Sequence, residues 1–235
     1  MCWWQGLDSA PEIVKACVES VRRNAGGREV IIITDKNVSN YVKFPSWIIK
    51  KIDAGIITRT NLSDLLRLSL LASYGGMWLD STFYCVGSLD KSLYNGPIFS
   101  IKRPDYLHAS VAGGMFAGYS LGCDDDHRRA FATIRDFFLE YWRRNDFMVD
   151  YLLVDYLTVL AQRHDPWIAE AFNEIQPNNP DCDELFKILD QPYDEDMWKR
   201  LSAHTDLFKL TWKQDFPVEH DGEKTFYGML EGIGD

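Results

Sequence analysis

Residues 74–85 read YGGMWLDSTFYC, and this stretch predicts the end of a helix followed by a strand that ends in polar residues. Two glycines stop the leucine-rich segment before them, and the apolar run 77–79 is typical of a buried strand. Asp80 comes directly after that run. Because open α/β sheets bind ligands at the carboxyl ends of their strands, Asp80 is a candidate site residue. The alternative is that Asp80 caps a turn and accepts hydrogen bonds from backbone amides.

The order of elements before this strand indicates an α/β fold. Residues 2–6 predict a short strand, and residues 11–24 predict a helix with Asp8 or Ser9 as its N-cap. The β-branched run at 28–37 predicts a buried strand. A strand, a helix and a strand in this order form a βαβ unit.

Further elements are predicted from periodicity and turn residues. Segment 38–58 is ambiguous between strand and short helix, whereas residues 61–74 predict a buried helix that begins with a capping box of Asn61 and Asp64. The remaining predictions are strands at 97–101 and 111–117 and helices at 127–144, 150–163, 167–174, 183–189 and 195–203. We therefore expect an α/β core up to residue 125 and a helical part after it.

The composition is that of a globular, acidic protein. The chain has 235 residues, of which 46% are hydrophobic, and its formal net charge is -10. This length suits one substantial core. The acidic balance argues against a nucleic-acid partner, which needs a basic surface on the protein. No apolar stretch approaches the roughly 18 residues that span a bilayer, so at most peripheral membrane contact is expected.

The five cysteines are widely scattered and follow neither a CxxC nor a zinc-site spacing. They are expected to be reduced thiols, which favours a cytoplasmic location.

Two other segments each have a structural and a functional interpretation. FFLEYWRR at 137–144 suits either core packing, which we favour, or a membrane surface that carries a lipid-linked acceptor. The acidic run 124–126 is expected to be a solvated helix start rather than a metal site.

Asp64 and Arg67 lie on one face of the leucine-rich helix, because they are three residues apart. Unpaired charge in a core costs several kcal/mol, so both side chains need partners. They either pair only with each other, or they line a polar pocket that binds a hydroxyl-rich ligand.

The stretch SDLLRLSLLASYGGMWLD at 63–80 resembles the Ser-Asp-x-x-Arg…Tyr-Gly-Gly-x-Tyr/Trp-x-Asp-x-Asp signature of the DXD-containing sugar transferases, the glycosyltransferase family 32-like group. The opening WWQGLDSAPEIVKACVESVRRN at 3–24 and DYLLVDYL at 150–157 are most similar to the bacterial capsular polysaccharide synthesis proteins of that group.

This resemblance implies one GT-A type domain over residues 1–235, with a Rossmann-like mixed sheet that binds a nucleotide-sugar in 1–125. Residues 126–235 would form a helical acceptor-side part and a C-terminal lid. The implied reaction is sugar transfer with retention, from a nucleotide-sugar, expected to be a UDP-sugar, to a glycan or lipid-linked oligosaccharide. The implied setting is capsular or exopolysaccharide synthesis in the bacterial cytoplasm or at the inner face of the membrane.

The resemblance also assigns roles to individual residues. Asp64 and Arg67 would hold the donor sugar, and Asp155 would place a carboxylate near it, although Asp155 has the alternative of an exposed or capping residue. The nucleotide and its diphosphate would contact Trp3, Trp4, Gln5, Asp80, Ser81, Lys209, Thr211 and Trp212. For the tail segment KLTWK at 209–213 the alternative is an edge strand with Leu210 and Trp212 pointing inward.

Position 82 departs from the signature, because the second aspartate of Asp-x-Asp is replaced by Thr82. A divalent metal, Mn²⁺ or Mg²⁺, is expected at Asp80 by resemblance, and a threonine hydroxyl is a far weaker ligand than a carboxylate. Either Asp80 and the diphosphate are enough to hold the metal, or another residue supplies the missing metal ligand, or the activity depends only weakly on metal.

Two other function classes compete with a transferase. A catalytically silent nucleotide-sugar-binding or scaffold protein of the same pathway is made plausible by Thr82. Another nucleotide-using α/β enzyme lacks support, because neither a Walker loop nor a GxGxxG turn is present.

Overall fold

The computed structural model describes residues 1–105 and 110–230, in which helices alternate with short strands. The α-helices of these residues are α1 (Glu12–Asn24), α2 (Val38–Tyr41), α3 (Ser46–Asp53), α4 (Arg59–Tyr74), α5 (Arg128–Arg144), α6 (Leu153–His164), α7 (Pro166–Asn173) and α8 (Glu195–Ser202). The strands are β1 (Gly76–Leu79), β2 (Phe83–Cys85), β3 (Ile98–Ser100), β4 (Ser120–Cys123), β5 (Leu207–Lys209), β6 (Glu219–His220) and β7 (Glu223–Lys224).

The chain folds into two compact units. The first unit comprises Met1–Asp35, Leu79–Lys91 and the described part of Pro177–Asp235. The second unit comprises Lys36–Trp78 and the described part of Ser92–Gln176. The expected mixed α/β class is confirmed, and none of the described helices is long and apolar enough to cross a membrane.

Within residues 1–105 and 110–230, the strands form three small sheets. One has the order β1-β4-β3, with β3 antiparallel to β4, and the others are the antiparallel pairs β2-β5 and β6-β7. A single Rossmann-like mixed sheet is therefore not what the described residues form.

In the first unit, the two strands that were predicted before and after α1 form only one parallel bridge. Cys2 and Ile33 pair on either side of α1, and the amide of Trp3 donates to the carbonyl of Ile33 at 3.0 Å. The expected strands at 2–6 and 28–37 do not extend beyond this bridge. Gly6 has a φ of 87°, which turns the chain away before a longer ladder can form.

Helix α1 begins differently from the prediction. Pro11, rather than Asp8 or Ser9, is its N-cap residue, because residues Leu7–Ser9 form a separate 3-10 turn. The apolar face of α1 is buried as its periodicity predicts, with Val14, Cys17 and Val18 fully enclosed.

In the second unit, α4 packs against α5, α5 against α6, and α6 against α7. Phe138 and Trp142 of α5 are fully buried, which confirms core packing for the segment FFLEYWRR. The acidic residues 124–126 are exposed, as expected for a solvated helix start.

Helix α4 begins two residues earlier than predicted. Its capping box joins Thr58 and Asn61, so the predicted box of Asn61 and Asp64 is wrong. Gly75 ends the helix with a φ of 66°, a conformation that favours glycine, as the sequence predicts.

The strand predicted at 111–117 is wrong. Gly113 and Gly114 have φ values of 54° and 76°, which a strand does not accommodate, and β4 forms later, at Ser120–Cys123. The ambiguous segment 38–58 contains the short helices α2 and α3. The helix predicted at 183–189 is a 3-10 turn at Leu185–Ile188.

Candidate functional site

A buried charged cluster lies in the second unit and consists of Asp64, Arg67 and Asp155; we call it the carboxylate cluster. Asp64 and Arg67 on α4 are 5% and 8% exposed, and Arg67 Nη2 lies 3.0 Å from Asp64 Oδ1. The predicted pairing of these two residues is therefore present. Arg67 Nη1 also donates to the carbonyl of Gly118, and the guanidinium lies 5.4 Å from the centroid of the Trp78 ring. These contacts hold Arg67 in one orientation.

Asp155 joins this cluster from the first turn of α6. Its side chain is 7% exposed, and α6 has no side-chain cap at its N-terminus, so Asp155 is neither an exposed nor an N-cap residue. A Cβ at Gly118 would lie 2.8 Å from Asp155 Oδ1 and 3.5 Å from Arg67 Nη1. Both charged side chains therefore approach the same glycine, and a side chain at position 118 would collide with Asp155.

Burial governs the electrostatics of Asp155. It raises the pKa of the Asp155 carboxyl from 3.8 to about 6, an increase that Arg67 opposes and that Asp64 and Asp150 reinforce. Two carboxylates and one guanidinium in a buried setting accept and donate several hydrogen bonds. This combination suits a ligand with many hydroxyl groups.

A second group of polar and aromatic residues lies in the first unit and comprises Trp3, Asp80, Thr82, Lys209 and Trp212; we call it the lysine cluster. Asp80 follows β1, and the amide of Phe83 donates to the carbonyl of Asp80 at 3.1 Å. Backbone atoms thus close the turn between β1 and β2. Ser81 and Thr82, within this turn, are buried.

Lys209 reaches Thr82 through the pairing of β2 with β5. Phe83 is the partner of Lys209 in this pairing, and the amide of Leu210 donates to the carbonyl of Thr82 at 2.9 Å. Lys209 Nζ donates to Thr82 Oγ1 at 2.6 Å. An ammonium group is therefore held at the position where the signature has its second carboxylate.

The aromatic residues of the lysine cluster meet edge to face. The ring centroids of Trp3 and Trp212 are 5.5 Å apart, with an angle of 89° between the planes. Trp212 is 48% exposed, so the alternative that it points inward from an edge strand is wrong, whereas Leu210 is buried as that alternative required. The paired indoles offer an aromatic surface on which a planar base can stack.

Three other predicted contact residues differ from one another in exposure. Trp4 is buried and its carbonyl accepts from the amide of Asp35, whereas Gln5 is exposed. Thr211 is half-buried and its hydroxyl accepts from the amide of Lys213 at 3.2 Å. Their assignment to a nucleotide remains a prediction.

The side chains at 80–82 do not supply the pair of carboxylates that a divalent cation would need. The residues that the structure describes contain no group of three or more His, Cys, Asp or Glu side chains able to hold a metal ion. The hydroxyl at position 82 accepts a hydrogen bond from an ammonium group. The expected metal at Asp80 remains a prediction, and the donor set is a poor fit to it.

Sequence reasoning missed Gly118, Trp78 and the bond between Lys209 and Thr82. Gly118 gave a weak signal, as one of several glycines after residue 112, but its contact with Arg67 spans 51 positions of the chain. The bond from Lys209 to Thr82 spans 127 positions. No local pattern carries such information.

The family model described as "Capsular polysaccharide synthesis protein" matches residues 1–230, a range that includes both clusters. Comparisons with curated proteins and with solved structures find no match. Because the matched range takes in nearly the whole chain, this protein belongs to the capsular polysaccharide synthesis protein family.

Proposed function

We propose that this protein is a glycosyltransferase of capsular polysaccharide synthesis that transfers a sugar from a nucleotide-sugar, expected to be a UDP-sugar, to a glycan or lipid-linked oligosaccharide. The observation that carries the proposal is the carboxylate cluster. Its three charged side chains are each at most 8% exposed. Burial of such groups lowers stability, and strongly perturbed carboxylates are typical of functional sites.

The carboxylate cluster is suited to the donor sugar. Asp64 and Asp155 accept hydrogen bonds from sugar hydroxyls, and Arg67 donates to hydroxyl or phosphate oxygens. At neutral pH Asp155 is mostly ionised, because its pKa is about 6. A carboxylate beside the sugar stabilises positive charge that develops on the ring during transfer.

The lysine cluster is suited to the nucleotide. The exposed indole of Trp212, supported edge to face by Trp3, stacks on a planar base, and the ammonium of Lys209 attracts the negative charge of a diphosphate. Asp80 accepts from ribose hydroxyls in this assignment.

The proposed chemistry is front-face transfer with retention, because no carboxylate of the described residues is an obvious nucleophile. The bond between the anomeric carbon and the diphosphate oxygen breaks, and the acceptor hydroxyl oxygen bonds to that carbon on the same face. The hydroxyl proton passes to the departing diphosphate, which leaves as nucleoside diphosphate. The residues contribute charge stabilisation and positioning.

We place the reaction in the cytoplasm, or at the inner face of the membrane when the acceptor is lipid-linked. The five free cysteines support a reducing location.

The proposal is tested with a panel of nucleotide-sugars and glycan acceptors, by measuring product and released nucleoside diphosphate. Asp64→Asn keeps the shape of the side chain but removes its charge, so we expect binding of the matching nucleotide-sugar to weaken about tenfold or more. Binding of the bare nucleoside diphosphate should change little. Asp136→Asn, on an exposed carboxylate of α5, is the matched control.

A second variant tests the cluster without removing a charge. Gly118→Ala places a methyl group against Asp155, whereas Gly96→Ala meets only the carbonyl of Ile98 at 3.8 Å. Only Gly118→Ala should reduce turnover.

Equal loss of nucleotide-sugar and nucleotide binding in Asp64→Asn would count against a sugar-binding role for Asp64.

The second candidate is a catalytically silent nucleotide-sugar-binding protein of the same pathway. Thr82, in place of the second aspartate of the signature, favours it. Such a protein binds a nucleotide-sugar but releases no nucleoside diphosphate, either to water or to any acceptor. The same panel separates the two functions.

A further inference from the structure

The ammonium group of Lys209 occupies a built position rather than a mobile one. Its Nζ donates to Thr82 Oγ1 at 2.6 Å and to the carbonyl of Leu210 at 3.3 Å. The ring centroid of Phe83 lies 5.9 Å from the same nitrogen. Three contacts, with Thr82, Phe83 and Leu210, therefore define where this positive charge lies.

The backbone beneath Lys209 is also fixed. Its amide donates to the carbonyl of Cys182 at 2.8 Å, and the next amide, of Leu210, donates to the carbonyl of Thr82. Thr82 and Phe83 are buried. The position of the ammonium relative to residues 80–82 is thus set by strand pairing.

The net charge of Asp80 and Lys209, beside the turn between β1 and β2, differs from the net charge of an Asp-x-Asp pair. Asp80 and Lys209 together carry no net charge, whereas an Asp-x-Asp pair carries two negative charges. Mn²⁺ and Mg²⁺ bind to hard, negatively charged oxygen ligands. A neighbouring ammonium repels a divalent cation and attracts a diphosphate.

We propose that the ammonium of Lys209, held by the hydroxyl of Thr82, binds the diphosphate of the nucleotide in place of a divalent metal, so that nucleotide binding is independent of metal. This inference rests on the proposed use of a nucleotide-sugar. It explains why a threonine suffices at position 82: the hydroxyl orients a lysine instead of coordinating a cation.

The test is isothermal titration calorimetry of the chelator-treated protein with UDP, GDP, CDP and ADP, repeated with added Mn²⁺. For the nucleotide that binds, the affinity should agree within about twofold in the two conditions. Lys209→Met should weaken the affinity about 10- to 100-fold without metal, because a hydrogen-bonded charge is lost. Lys199→Met, on an exposed lysine paired with Glu195, is the control and should bind like the wild type.

Two further variants separate charge from folding. Lys209→Arg keeps the positive charge and should retain most of the metal-free affinity. The double substitution Thr82→Asp with Lys209→Met builds the missing carboxylate pair and removes the cation, so nucleotide affinity should rise about tenfold or more on addition of Mn²⁺.

Three results would overturn the inference. One is a wild-type protein that binds its nucleotide only with Mn²⁺, and another is a folded Lys209→Met variant with unchanged affinity. Both leave the proposed function standing, because a nucleotide still binds. The third is no binding of any nucleoside diphosphate with or without Mn²⁺, and this result rejects the proposed function as well.

Discussion

Asp155 illustrates a conflict between stability and function within a single side chain. Its carboxyl is buried, and its pKa of about 6 lies above the ordinary 3.8. Ionisation is therefore easier in the unfolded chain than in the folded protein. A residue kept for packing alone would avoid this cost, which supports a binding role for the carboxylate.

Asp155→Asn is expected to increase the free energy of unfolding near neutral pH by up to about 3 kcal/mol, which corresponds to the difference between the two pKa values. In the wild type, this group costs nothing at a pH well below its unfolded-state pKa of 3.8, where it is protonated in both states. Stability then falls as the pH rises toward 6, because the unfolded chain ionises first. Urea denaturation across this range should show that slope, and Asp155→Asn should lack it.

If the protein has the proposed transferase activity, that activity should fall in Asp155→Asn while stability rises, because an amide accepts fewer hydrogen bonds than a carboxylate. The exposed Asp136→Asn is the control for both measurements, and its stability should follow the wild type. A loss of stability in Asp155→Asn near neutral pH would show that the ionised carboxylate makes net favourable contacts in the fold.

Helix α4 shows how one element presents the pair of candidate site residues, Asp64 and Arg67. Its leucines are buried on several faces, and Asp64 and Arg67 share the remaining face at a spacing of three residues. The helix is fixed at both ends, by the capping box of Thr58 and Asn61 and by Gly75. These candidate site residues therefore lie on a helix fixed at both ends rather than on a loop.

Thr58→Ala is expected to destabilise the protein by about 1 kcal/mol, because the Thr58 hydroxyl accepts from the amide of Asn61 and donates to its side chain. Thr60, in the first turn of the same helix, is exposed. Thr60→Ala should therefore have no destabilising effect, since alanine has the better helix propensity. Chemical denaturation of both variants measures the difference, and equal stability of the two would argue against the observed cap.

The pairing of β2 with β5 is the second element that the candidate site depends on. Each strand has only three residues, and neither has a pattern that selects the other. Their register places Lys209 opposite Phe83 and brings its ammonium to Thr82. A shift of one residue would turn Lys209 to the other face, so the register decides which cation meets residue 82.

Across the whole molecule, both units enclose thiols in apolar surroundings. Cys17, Cys85 and Cys182 of the first unit and Cys123 of the second are buried. Burial raises the pKa of the Cys85 and Cys123 thiols to about 12, so little reactive thiolate is present at neutral pH. Cys2 is half-buried.

Iodoacetamide should therefore add one group to the native protein, at Cys2, and five groups to the unfolded chain, as measured by intact mass. Cys2→Ser should remove the single native adduct. Reductant should leave the thermal unfolding midpoint unchanged, because all five cysteines are free. Rapid modification of a second thiol under native conditions would reveal local opening of the unit that contains it.

The long helices, and the Asp64–Arg67 pair of the carboxylate cluster, could be predicted from local sequence. The helical periodicity of α1, α4, α5 and α6 locates them to within a few residues, because an amphipathic or leucine-rich helix is stabilised by contacts three and four residues apart. The pairing of Asp64 with Arg67 follows from the same spacing. The strand at 111–117 was predicted wrongly, and the strands at 2–6 and 28–37 form only one bridge, because a strand depends on partners that lie far away in the chain.

The sequence by itself determined the long helices α1, α4, α5 and α6, the stop at Gly75, the polar face of α4 and the position of Asp80 after β1. The tertiary structure decided which distant residues join them. Asp155 and Gly118 meet Arg67, and Lys209 meets Thr82, only because helix packing and strand register bring together segments separated by tens of residues. Such contacts depend on the fold as a whole, since no local spacing or propensity encodes the partner of a buried charge.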